Sequence, residues 1–95
     1  MQVDIEEFKK INMRVGEVVD VEEGEADKLL IIVDAGKIKK IASSIKGYRK
    51  ENLLGKKVII LDEGGKQASI LIVRDRDKHS VLTVDKDVGK GAKVR

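Results

Sequence analysis

The 95 residues, with no cysteine, one histidine and a formal charge of +3, suffice for a single domain over residues 1–95; a chain this short buries only roughly 60–65% of its unfolded surface and supports no second core. The cysteine and histidine counts exclude disulfides, thiol nucleophiles and the usual zinc clusters and leave any metal site to carboxylates, so no cofactor is expected. No apolar run approaches the length of about 20 residues that a membrane-spanning helix needs, and acids rather than a basic then apolar leader follow Met1, so a cytoplasmic protein is expected.

In chain order, Asp4 is placed to cap a helix, Glu7 to complete a capping box and Val3 to staple against Phe8, which predicts a short helix near residues 5–10. Residues 13–22 read as the first strand, with Gly16 marking a bulge or sharp coil. A polar loop over residues 22–27 leads to a continuous aliphatic strand at 28–34. The tight Ala35-Gly36 connection then gives a third strand at 37–42, with Lys37 and Lys39 alternating with Ile38. From Ser43 to Asn52 the β pattern lapses, and Ile45, Tyr48 and Leu53 fall at the spacings of a loose amphipathic turn or short helix that Gly55 ends. Residues 57–61, 69–74 and 80–84 read as further strands, separated by a loop at 62–68 and a charged turn at 75–78. The tail from 85 to 95 is expected to pack Val88 and Val94 back on the body. Three strands, a helical interruption, then two or more strands is the order of an all-β, five-stranded Greek-key OB barrel. An SH3-like barrel is the rival, and the helical segment at 43–53 favours the OB form.

A chain that is 39% charged, with few side-chain amides, is what a thermophile's surface looks like, so the total of +3 says little about partners. Its distribution says more. Residues 1–34 carry ten acids and four bases, residues 35–61 one acid and eight bases, and residues 62–95 six acids and eight bases. Within the middle third, Lys37, Lys39, Lys40, Lys46, Arg49 and Lys50 are interrupted by no acid. On an OB barrel the second and third strands form the usual nucleic-acid face, and such a set would supply phosphate contacts without sequence readout. The same run reads equally well as a solvated surface. Ser43, Ser44, Gln67 and Ser69 are candidates for contacts to phosphate or a 2′-hydroxyl, or ordinary loop and strand-edge residues; Lys66 joins the candidate set from the loop. Base stacking is poorly supported, because Phe8 belongs to the staple and Tyr48 reads as packing under the helical segment; a folded RNA would be read by its backbone shape. His79 beside Ser80 and near Asp77 is a sequence neighbourhood rather than a triad, and Gly64-Gly65-Lys66 is too short for a P-loop, so catalysis is not expected.

Several strings together resemble the synthetase-associated tRNA-binding domain family, found as the C-terminal module of methionyl-tRNA synthetase and as free-standing tRNA-binding relatives. Asn12-Met13-Arg14-Val15-Gly16-Glu17-Val18 resembles its D-x-R-V-G-x-I entry, Ala26-Asp27-Lys28-Leu29-Leu30 its A-D-K-L-L, and Ser43 with Ile45 its S-G-I. Leu54-Gly55-Lys56-Lys57-Val58 resembles its V-G-K-K-V, and Asp85-Lys86-Asp87-Val88 through Gly91-Ala92-Lys93-Val94 its closing motif. The sequence departs where the family keeps recognition residues. The His-Pro pair of the first loop is missing, Ser44 replaces a glycine, and the long loop between the fourth and fifth strands is cut down to residues 62–68; within the entry motif Asn12 and Met13 stand in place of the usual Asp and Leu. The resemblance implies an OB fold and tRNA as partner, with an aminoacyl-tRNA synthetase as the enzyme for which it would be held. Arg14 and Lys28 are the residues that carry over motif by motif, although a salt bridge from Arg14 to an N-terminal carboxylate is an equal reading. It also implies a two-fold homodimer, and it leaves open a protein-interaction or chaperone-like role without RNA.

Overall fold

In the computed structural model, which describes residues 12–94, the aliphatic runs alternate as strands with one face on a core. Strand β1 is Met13–Glu23, β2 Lys28–Asp34 and β3 Ile38–Ser44; a single helical turn, α1, spans Lys50–Leu53, and β4 is Lys57–Asp62, β5 Ala68–Ile70, β6 Ile72–Asp75 and β7 Lys78–Val81. The first five strands form one antiparallel sheet in the order β3-β2-β1-β4-β5. Its two edges then meet, because Lys40 and Gln67 form a parallel bridge and the Lys40 amide donates to the Lys66 carbonyl at 3.3 Å. The result is a nearly closed five-stranded OB-like barrel, with α1 between β3 and β4 as the element order predicts. The predicted helix at residues 5–10 and its staple lie outside the described residues.

Closure depends on β1 serving two partners. Its first half, Met13 to Glu17, pairs with β4, and its second half, from Glu17 on, pairs with β2. The bulge that lets it bend falls between Val18 and Asp20, not at Gly16 as expected. Gly16 answers a different need: a Cβ there would sit 2.2 Å from Cγ1 of Val33, which is fully buried, so only a hydrogen allows β1 and β2 to come this close.

The predicted strand at 69–74 is broken at Leu71. Its amide still donates to Ile59 on β4 while its carbonyl accepts from Leu82, so the chain changes partners there and continues as a separate β6–β7 hairpin. The helical interruption is shorter than predicted, since β3 runs on to Ser44 and only Lys50–Leu53 is helical, its start held by the Arg49 amide on the Asn52 side chain at 2.9 Å. The tail behaves as expected. Val15 donates to Ala92 and Val94 to Met13, both at 2.8 Å, laying residues 91–94 beside the start of β1, and both Val88 and Val94 are half-buried.

The interior is aliphatic, as composition implies, with Val18, Ile31, Val33, Ile45, Leu53, Val58 and Ile60 at 1% exposure or less. Among the described residues one charged side chain shares it: Lys39.

Candidate nucleic-acid interface

The alternation of β3 decides which of the candidate bases face solvent. Ile41 is buried against the core and Ile45 continues that face, so by the two-residue period Lys39 points inward while Ile38, Lys40, Ala42 and Ser44 point out. This is one residue out of step with the expectation that Lys39 lies on the outer face beside Lys37. A one-residue slip exchanges the two faces completely. Lys39 is 1% exposed, and its ammonium donates to Asp62 Oδ1 at 2.7 Å and to the Gly65 carbonyl at 2.5 Å. It cannot reach an external phosphate, so it is a buried clamp holding the shortened β4–β5 loop on β3.

Several of the remaining candidates lie on or next to β3. At its middle stands Lys40, beside Lys66 and Gln67 of the loop that closes onto it. Towards the helical turn, Lys28 is paired across the ladder with Ser44, both exposed, and Leu29 with half-buried Ser43. Lys46 follows, its backbone amide fixed by the ring nitrogen Nδ1 of His79 at 3.0 Å, which gives that histidine a structural role. Tyr48 packs as expected: it is half-buried, its hydroxyl accepts from the Val81 amide at 3.2 Å, and Lys56 lies 5.8 Å above its ring. Among the described residues Lys28, Lys37, Lys40, Lys46 and Lys66 make no ion pair and are exposed. Arg49 differs, being matched by Glu23 at 3.6 Å, and Lys50 by Asp20 at 3.2 Å.

At the other end, the β2–β3 turn and the β4–β5 loop enclose an open groove of about 450 Å³ where Arg14, Lys37, Lys39 and Asp62 converge. The N-terminal acids expected as partners of Arg14 lie outside the described residues; its guanidinium donates to the Gly91 carbonyl at 3.0 Å and lies 3.9 Å from Asp62. Hydrogen bonds from Lys39 first, and then from the Gly64 amide, hold the Asp62 carboxyl below the usual carboxylate range. Local sequence reading could not have placed Asp62 here, because its partner is 23 residues away.

No protein-family model matches the chain. It is 42% identical over 107 residues to a methionine–tRNA ligase of Methanocaldococcus jannaschii, covering 99% of this chain and 16% of the ligase, and 38% identical over 105 residues to that of Pyrococcus furiosus, covering 98% and 14%. The matched portion is the ligase's C-terminal region. The chain belongs to the synthetase-associated tRNA-binding domain family. It spans about a sixth of the length of these curated relatives, so it corresponds to an appended portion and not to the body of the ligases. Both matches run longer than the 95 residues of the chain, so these relatives carry residues that this chain lacks. Among solved structures, a MetRS-related protein from Pyrococcus horikoshii superposes with a TM-score of 0.86 at 28% identity, covering 100% of this chain and 99% of the other. The chaperone CsaA from Bacillus anthracis superposes with a TM-score of 0.88 at 18% identity over 100% of both chains and shares the fold. This family member keeps the fold with a β4–β5 loop that Lys39 ties down from inside.

Proposed function

We infer that the chain is a non-catalytic tRNA-binding module that holds tRNA by its phosphates, for use by an aminoacyl-tRNA synthetase. The observation that carries this reading is the group of exposed lysines on or beside β3 that make no ion pair among the described residues, Lys28, Lys37, Lys40, Lys46 and Lys66, three of them in the segment 35–61 that carries one acid against eight bases. Cations without an acid partner release counterions from a polyanion without first breaking an ion pair. The exposed aromatic platform of a single-strand binder is missing among the described residues, which favours a structured RNA recognised by shape. The likeness to the methionine–tRNA ligases supports tRNA as the RNA.

A gel shift with total tRNA at low and at high salt tests the reading. A shift at low salt that disappears at high salt is expected. No shift at either would favour an interaction module, the alternative that the CsaA-like fold keeps open. Self-association as a two-fold dimer is part of the same proposal, since doubling a modest phosphate footprint raises avidity. Light scattering at tens of micromolar would rule it out by showing a strict monomer.

A further inference from the structure

We propose that the groove between the β2–β3 turn and the β4–β5 loop holds one ribonucleotide unit, its phosphate on Arg14 and Lys37 and its 2′-hydroxyl on the side-chain oxygen of Asn12, so that the protein distinguishes RNA from DNA at this point. The inference rests on the nucleic-acid reading above and assigns the groove a part in it.

The charges of the groove sort themselves. Lys39 and Asp62 satisfy each other at 2.7 Å, and the second lysine contact goes to the Gly65 carbonyl, so neither is offered to a ligand. What remains is exposed Lys37 and the part of the Arg14 guanidinium not engaged by the Gly91 carbonyl and, at 3.9 Å, by Asp62, with net positive charge and planar donors suited to a phosphate. The walls are open. Gly36, Gly64 and Gly65 have φ of +87°, +93° and +56°, and nothing lies within 4 Å of where a Cβ would stand, so a ligand can approach the backbone closely. A volume of about 450 Å³ falls within the range of about 300–1,000 Å³ typical of small-ligand sites.

A second observation asks for a hydroxyl. Asn12 lines the same groove, its backbone carbonyl fixed by the Asp62 amide at 2.8 Å, but its side-chain oxygen is buried with no hydrogen-bond partner among the described residues. A buried acceptor without a donor is costly, and among the described residues nothing bonds this oxygen inward, so turning the amide about its last torsion towards the groove breaks no bond of that oxygen with them. The acceptor needs a donor. Phosphate diester oxygens only accept; the sugar hydroxyl that RNA has and DNA lacks can donate. A carboxylate at position 12 would accept the same hydroxyl but would repel the phosphate beside it, so the neutral amide suits both halves of the unit.

The test compares one stem-loop sequence made as RNA, as 2′-O-methyl RNA and as DNA, titrated against the wild type, Asn12→Ala and Lys37→Ala, with thermal melts to confirm that the variants fold. The wild type should prefer RNA over both analogues by about five- to ten-fold, the value of one hydrogen bond. Asn12→Ala should bring that preference close to one, while Lys37→Ala should weaken all three and leave the ratio. Equal binding of RNA and its 2′-O-methyl form by the wild type overturns the assignment even if Asn12→Ala does not fold, as does an Asn12→Ala variant that keeps the preference. Loss of binding to every ligand by the wild type overturns the tRNA reading itself, and this inference with it.

Discussion

Replacing Lys37, Lys40, Lys46 and Lys66 together with alanine should weaken binding to every tRNA alike and flatten its salt dependence. Each lysine that releases a counterion on binding contributes about 0.7–0.9 to the slope of log K against log salt, so losing four lowers the slope by about 3. Between 50 and 200 mM salt the wild type should therefore lose roughly 50-fold more affinity than the variant. All four side chains are exposed and make no ion pair among the described residues, so the substitution costs the fold little and the change reads on binding. Arg49→Ala is the internal comparison: its guanidinium already faces Glu23 at 3.6 Å, and a phosphate must compete with that acid, so its effect on the slope should be smaller. A slope that the quadruple variant leaves unchanged, or a loss confined to one tRNA species, would show that binding runs through specific contacts elsewhere, with Arg14 and Lys28 the first to test.

Much of this fold can be read from the order of residues because the strands are short, aliphatic and punctuated. β2 is found at its predicted bounds, since a polar loop precedes it, Ala35-Gly36 follows it, and the five unbroken aliphatic residues from Leu29 to Val33 are flanked by charged Lys28 and Asp34. The break at Leu71 is not legible, because a strand that changes partners has the same local pattern as one that does not; only the contacts to Ile59 and Leu82 reveal it. Gly16 shows the converse. The residue announces that a side chain is forbidden, but whether the reason is a bulge or a close neighbour depends on Val33, which local reading cannot bring alongside.

For the interface, the sequence locates the basic segment but not its facing. Alternating Lys and Ile in Lys37-Ile38-Lys39 suggests charge out and aliphatic in, yet Ile38 is 50% exposed and Lys39 is buried. The signal for the true register lies further along, where Ile41 and Ile45 share the inner face with Lys39. It is weak because an inward lysine is tolerated only with a partner, and that partner arrives from β4. Asn12 is missed for a related reason: a single changed residue in a motif gains meaning only when Arg14, Lys37 and Asp62 are seen around the same groove.

Lys39 should accordingly behave as a stability residue. Its side chain is 2% exposed and that of Asp62 15%, so the pair lies largely out of water, and removing one partner leaves the other charge uncompensated. Lys39→Ala should cost about 3 kcal/mol, and a domain of this size should then melt on the order of 15 °C lower. The β4–β5 loop loses its tie at Gly65 at the same time, so amide exchange at residues 63–67 should quicken more than exchange in β2. Acid titration separates the ion pair from simple packing. The Asp62 carboxyl is held below its ordinary value by the Lys39 hydrogen bond first and the Gly64 amide second, so its contribution to stability is complete above the unfolded-state value near 4 and is lost as pH falls through the lower folded-state value. Denaturant midpoints of the wild type and Asp62→Asn should therefore differ at pH 7 and draw together below about pH 4. In tRNA binding, Lys39→Ala protein that remains folded should keep the wild-type salt slope, because this lysine never meets the solvent. A stable Lys39→Ala variant with a flattened slope would restore Lys39 to the RNA-binding surface and refute the clamp.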